Sequence, residues 1–269
     1  EKKIKSELVK LMKDDREKYQ QFWTAFGMQF KYALMNAYGQ NRDTIRDLLL
    51  FWSSKENKLT SLKEYVDRMP ESQEKIYYVC ADSVEHASKM PQAERVLKAG
   101  YEVLYLTVDE DEIVLQMLEN AYDKPFVSVA SEDALPVTDA EKASVEQAEK
   151  DHKALLEFAQ ETLKGEVSKV RISKILQSGA VCLTAEGPVS LEMEKYFRKM
   201  RRDFPMSAQR VLELNPDAPA FQALCKAYEE DKEKAAAYVE VLYNQALIIA
   251  DLPLPDPARY AELVCGLMK

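Results

Sequence analysis

At Lys75 the hydrophobic rhythm of this chain changes period, and that change limits the fold more than any other feature. Upstream, from Ile4 to Met35, apolar residues recur at helical spacing: Leu8, Leu11 and Met12, then Phe22, Trp23, Phe26, Phe30 and Leu34. That pattern predicts one or two long helices. After Gly39-Gln40-Asn41, the segment from Arg42 to Phe51 predicts a short helix with Ile45, Leu48 and Leu49 on one side. Ser61 followed by Glu64 is a capping-box signature for a helix over Leu62 to Met69, which Pro70 ends. Downstream come three short β runs, Lys75 to Cys80, Glu102 to Thr107 and Phe126 to Val129. Between them lie helical segments at Pro91 to Ala99, stopped by Gly100, and at Glu110 to Asn120. Strand, helix, strand, helix, strand at this spacing predicts a small parallel sheet with right-handed crossovers.

The polar, acidic stretch from Ser131 to Asp139 suits a domain boundary. Beyond it, Thr138 and Glu141 cap a long charged helix running to about Leu163, with Gly165 at its end. Val167 to Ser173 and Ala180 to Thr184 read as strands, and Gly187-Pro188 introduces a helix from about Val189 to Arg202. Val211 to Leu214 reads as a third strand before the helices return. The expected fold class is therefore α/β followed by α+β. Residues 1–72 form a helical part, 73–131 a small α/β subdomain and 132–269 an α+β domain ending in a pair of helices.

Several chemistries are disfavoured. Only seven glycines occur and no two are closer than Gly179 and Gly187, so neither a dinucleotide fingerprint nor a phosphate-cradling loop can form. The two histidines, His86 and His152, lack the spacing of a zinc site. A Cys80–His86 pair at the end of the first β run is the least implausible nucleophile, but nothing in the sequence orients the imidazole. Cys80, Cys182, Cys225 and Cys265 are read as buried thiols. Asp109 to Glu112 reads as acid favouring a helix N-terminus. The net charge of -9 argues against nucleic acid as a partner. No stretch approaches the roughly 20 apolar residues of a membrane span. A cytoplasmic protein is expected, and the missing initiator Met suggests a fragment.

Two regions look made for protein. Val189, Met193, Tyr196, Phe197, Met200 and Phe204 align on one helical stripe, and methionine with aromatics makes an adaptable apolar surface. The adjoining Arg198, Lys199, Arg201 and Arg202 are read as a solvated face. At the chain end, the run from Val239 to Ala250 is apolar around most of the helix, more than one neighbouring surface should bury. With Tyr260, Leu263, Val264, Leu267 and Met268 on the last helix, it predicts a two-fold four-helix bundle between two copies. Its expected contact residues are Val239, Leu242, Tyr243, Ala246, Leu247, Ile249, Tyr260, Leu263, Val264 and Leu267. A small α/β enzyme with an appended oligomerisation domain, working in the crevice near Cys80 and Thr107, is the alternative.

Several stretches resemble the 90-kDa heat-shock chaperone family in its bacterial form. Phe22-Trp23-Thr24-Ala25-Phe26-Gly27 is similar to its F-W-x-x-F-G, and Leu48 to Ser54 to its L-L-R-F-x-S-S. Ser61 to Met69 is similar to S-L-x-E-Y-V-x-R-M, Arg210 to Pro216 to R-V-L-E-L-N-P, and Leu242 to Leu247 to L-Y-D-Q-A-L. Leu50 departs from the usual arginine, and Gln177-Ser178-Gly179 stands near the usual S-P. The resemblance implies the end of a middle domain followed by a C-terminal dimerisation domain. It implies non-native client proteins as partners, held by Glu112, Ile113 and Gln116 and by Val189, Met193, Tyr196 and Phe197. It also implies that ATP and magnesium belong to an N-terminal domain outside these residues, so that this piece is not itself an enzyme.

Overall fold

The computed structural model describes residues 2–131, 134–200 and 207–268. They form two compact units, Glu1–Lys89 with Val96–Val129, and Met90–Arg95 with Ala130–Lys269.

The first unit opens with α1 (Lys2–Asp14) and α2 (Arg16–Asn36), separated at Asp15, whose carboxylate caps α2 by accepting from the Lys18 N–H at 3.0 Å. The motif at Phe22–Gly27 has a steric reason. A Cβ on Gly27 would lie 2.8 Å from the indole of buried Trp23 one turn earlier, so the small residue lets the ring fold back along its own helix. A short α3 (Arg42–Ile45) and a 3₁₀ turn (Arg46–Leu48) follow. Then β1 (Leu50–Ser53) pairs antiparallel with β2 (Lys58–Ser61), where a helix running to Phe51 was expected. Four consecutive apolar residues, Leu48 to Phe51, suit either state, and the partners that decide it lie elsewhere: Trp52 faces Leu59 on one side and Tyr105 on the other.

The capping box at Ser61 and Glu64 starts α4 (Leu62–Arg68) as the sequence implies. Next come β3 (Ile76–Cys80), α5 (Val84–Ser88), a 3₁₀ turn at Pro91–Ala93 with α6 (Glu94–Lys98), of which Pro91 to Arg95 group with the second unit, then β4 (Val103–Leu106) and α7 (Asp111–Leu118). The short β5 (Asn120–Ala121) and β6 (Lys124–Ser128) end the unit. The sheet order is β2-β1-β4-β3-β6-β5. β3 is parallel to β4 and to β6, as the alternation predicts. The sheet is nevertheless mixed, because antiparallel β1–β2 and β5 extend its edges.

In the second unit the capping box at Thr138 and Glu141 opens α8 (Asp139–Asp151), and α9 (Lys153–Thr162) follows. The single helix expected here is interrupted at His152. None of the residues of α8 is buried, whereas α9 buries Leu155, Leu156 and Ala159, so the break falls where the helix meets the core. β7 (Lys169–Ile172), β8 (Val181–Glu186), α10 (Leu191–Met200) and β9 (Gln209–Leu214) come next. β9, last in sequence, lies between the other two strands, parallel to β7 and antiparallel to β8. The three strands also meet at one carboxylate, since Glu213 accepts from Arg171, Ser173 and Thr184 while almost wholly buried. α11 (Pro219–Glu230), α12 (Lys232–Ile249) and α13 (Pro257–Gly266) complete the unit, with Asp231 capping α12 and Asp256 capping α13. Leu212 and Leu214 of β9 share a core with Phe221, Leu224 and Leu247.

Candidate interaction surfaces

Helix α7 is set into the first unit by charge as well as by apolar packing. Asp111 at its start is buried, with Lys31 of α2 2.5 Å away; the lysine in turn lies over the rings of Trp23 and Phe51. Burial pushes the Asp111 carboxyl above its usual range, against the pull of Lys31 and the Val108 N–H. Glu112 is also buried, and its Oε1 accepts from the Tyr78 hydroxyl at 3.0 Å. The carboxylate expected to face a client is therefore turned inward, on a helix that also buries Val114, Leu115 and Leu118. Ile113 is half-buried and Gln116 is exposed, so these two remain on the outer face.

Helix α10 is the opposite case. Val189, just before it, is buried, and Ser190 caps it by accepting from the Met193 N–H at 3.0 Å. Met193, Tyr196 and Phe197 are half-buried, with the two rings edge to face at 5.7 Å, and Met200 is 65% exposed. Of the expected stripe, Val189 is buried, Met193, Tyr196, Phe197 and Met200 reach the surface, and Phe204 lies outside the described residues. So do Arg201 and Arg202 of the basic cluster. Arg198 is not simply solvated, since its guanidinium donates to Glu194 at 2.5 Å.

The terminal helices need a correction. Val239, Leu242, Tyr243, Ala246 and Leu247 are buried inside their own subunit. The expectation that α12 carries more apolar area than one surface can hide overlooks that several surfaces meet it: α9, β8, α11 and α13 all pack against it. Leu263 is buried as well, while Ile249, Tyr260, Val264 and Leu267 are half-buried. Ile248, 48% exposed, and Met268, 78% exposed, add to the open apolar edge.

The reactive groups are scattered. His86 does have an orienting carboxylate, Asp82, 2.9 Å from its Nδ1, which sequence reasoning missed because a turn brings it round at helical spacing. Cys80 packs against the core of the first unit. Of the four free cysteines only Cys182 is buried, and Cys265 is exposed, which corrects the expectation of four buried thiols. Burial, then Glu213, holds the Cys182 thiol well above its usual range. Among the described residues no cluster of His, Cys, Asp and Glu could hold a metal ion, and no helix is long and apolar enough to cross a membrane.

The model of the family described as Hsp90 protein matches residues 2–269. The chain is 48% identical over 267 residues to the chaperone protein HtpG of Bacillus subtilis (strain 168), covering 99% of this chain and 43% of that protein. It is 46% identical to the HtpG of Oceanobacillus iheyensis and 45% identical to that of Clostridium botulinum (strain Langeland), with the same coverage of each. It thus spans less than half the length of the curated relatives it matches. The motifs read from residues 22, 48, 61, 210 and 242 onward fall inside a match that runs through both units, and the chain belongs to the Hsp90 protein family.

Proposed function

We propose that this chain is the client-holding and self-associating portion of an ATP-driven cytoplasmic chaperone of the stress response. Non-native polypeptides bind along Met193, Tyr196, Phe197 and Met200 of α10, with Ile113 and Gln116 of α7 as a second contact. Two copies pair through the outer edge of α12 and α13, at Ile248, Ile249, Tyr260, Val264 and Leu267. In this reading ATP and magnesium are handled outside these 269 residues, and the chain acts by binding and not by chemistry. The observation that carries the proposal is the half-open methionine and aromatic face of α10 in a relative of proteins named chaperones. Polarizable, flexible side chains beside rigid rings accept many apolar shapes without selecting one.

The test is binding of reduced, carboxymethylated α-lactalbumin, a permanently unfolded protein, followed by fluorescence anisotropy. Changing both Tyr196→Ala and Phe197→Ala should weaken it about tenfold, the loss of one to two kcal/mol of buried aromatic contact, with circular dichroism unchanged. Unaltered affinity would remove the reading. Self-association is checked by sedimentation: the protein should run as a dimer at micromolar concentration, and Val264→Glu with Leu267→Glu should leave a monomer.

A further inference from the structure

Helix α10 is fastened to its unit by charge as well as by apolar contact. Leu191 in its first turn packs against the core, but of the ten residues of the helix the one that is buried is Glu194, at 2% exposure. Its carboxylate is fully engaged. Oε1 accepts from Arg198 of the same helix at 2.5 Å and from Arg210 of β9 at 2.6 Å, and Oε2 accepts from the Ala208 N–H at 3.0 Å. Arg210 does not stop there. Its other terminal nitrogen donates to the Tyr243 hydroxyl of α12 at 3.0 Å, and that hydroxyl donates to Glu166 Oε2 at 3.0 Å. A hydrogen-bonded chain of three side chains, Glu194, Arg210 and Tyr243, therefore runs from α10, across the central strand, to the middle of α12, and Glu166 between α9 and β7 ends it.

We propose that Glu194 is a positioning residue, a latch that fixes the seat of α10, and that Arg210 and Tyr243 tie this latch to α12. Apolar packing holds an element by many small contacts that fail gradually, whereas a buried carboxylate with a defined set of donors holds by a few directed bonds that fail together. The seat of α10 can thus change without opening the core that Leu212, Leu214, Phe221 and Leu247 form. What the latch does to binding rests on the reading of α10 as the client-facing helix. The latch itself does not.

The test is hydrogen exchange on the full chain, followed segment by segment. Glu194→Gln keeps the shape and removes the charge, and should speed exchange across α10 about tenfold while β8 and β9 are unchanged. Arg210→Leu should do the same, and Arg210→Lys, which restores a charged donor, should recover part of the protection. Tyr243→Phe should speed exchange in α10 roughly threefold although it alters no atom of that helix. Unchanged α10 protection in Glu194→Gln overturns the latch, and an effect of Tyr243→Phe confined to α12 overturns the tie. If α10 exchange rises in Glu194→Gln but affinity for carboxymethylated α-lactalbumin stays the same, the latch stands and the client reading falls. A uniform rise in every segment, marking general unfolding that Arg210→Lys does not reverse, also overturns it.

Discussion

Helices α10 and α12 both carry apolar residues that the sequence pattern assigns to partners, yet the folded chain treats them differently. α12 is apolar around most of its circumference, and it is covered, because α9, β8, α11 and α13 surround it. α10 has the narrower stripe and keeps it half open, while the residue it buries is a glutamate. The amount of apolar sequence in a helix therefore says little about how much stays uncovered. The number of neighbours decides, and neighbours come from distant parts of the chain.

The contrast can be broken most sharply at Leu247. If α12 is core, Leu247→Ala should cost about 2–5 kcal/mol in urea denaturation. A cost near that of a surface change would mean that a second copy, and not the subunit itself, covers this side. Tyr243→Phe comes next, at about 1 kcal/mol for a buried hydroxyl bonded to charged groups, and it carries a pH signature. Burial pushes the Tyr243 hydroxyl up to about 12, against the pull of Arg210. Between the ordinary tyrosine value of about 10 and this one, the folded state holds a proton that the unfolded state has lost. Its contribution is complete below the lower value and fades as pH rises through the window. The difference in stability between wild type and Tyr243→Phe should shrink over that range; a constant difference would argue against a proton held there.

Ile248→Gln tests the outer edge of α12. With the side chain 48% exposed, the change should move monomer stability by less than about 1 kcal/mol while raising the dimer dissociation constant in sedimentation. No change in the dissociation constant would take Ile248 out of the interface. The smallest effect belongs to Met200→Ala, within about 0.5 kcal/mol, because most of that side chain already meets water. A larger loss would show that α10 is held by its stripe after all.

Local signals carried much of this fold. The capping boxes at Ser61 and Thr138 depend on residues three apart, and both form as read. The three parallel strands of the first sheet follow from runs such as Ile76 to Cys80, whose β-branched and aromatic residues suit a buried strand. Non-local choices were illegible. Leu50 to Ser53 becomes a strand because Lys58 to Ser61 and, some fifty residues on, Leu104 and Tyr105 pair with it. β5 and β6 are joined by Tyr122 and Asp123, both with positive φ, where a glycine would have announced the turn. In the candidate surfaces, periodicity located the stripe of α10 but gave no sign that Glu194 is buried. A carboxylate counts as exposed until the arginine that neutralises it, here sixteen positions later, is seen beside it.

The position of β9 also orders the events of synthesis. A nascent chain that has emerged only as far as Glu186 carries two strands of the second sheet with no template between them, and the residue that joins all three, Glu213, is still to come. Closure of that sheet waits for the ribosome to deliver Gln209 to Leu214. Through that interval the apolar sides of Val170, Ile172, Val181 and Leu183 stay open to water, and this portion of the polypeptide itself has the character of something that needs a chaperone.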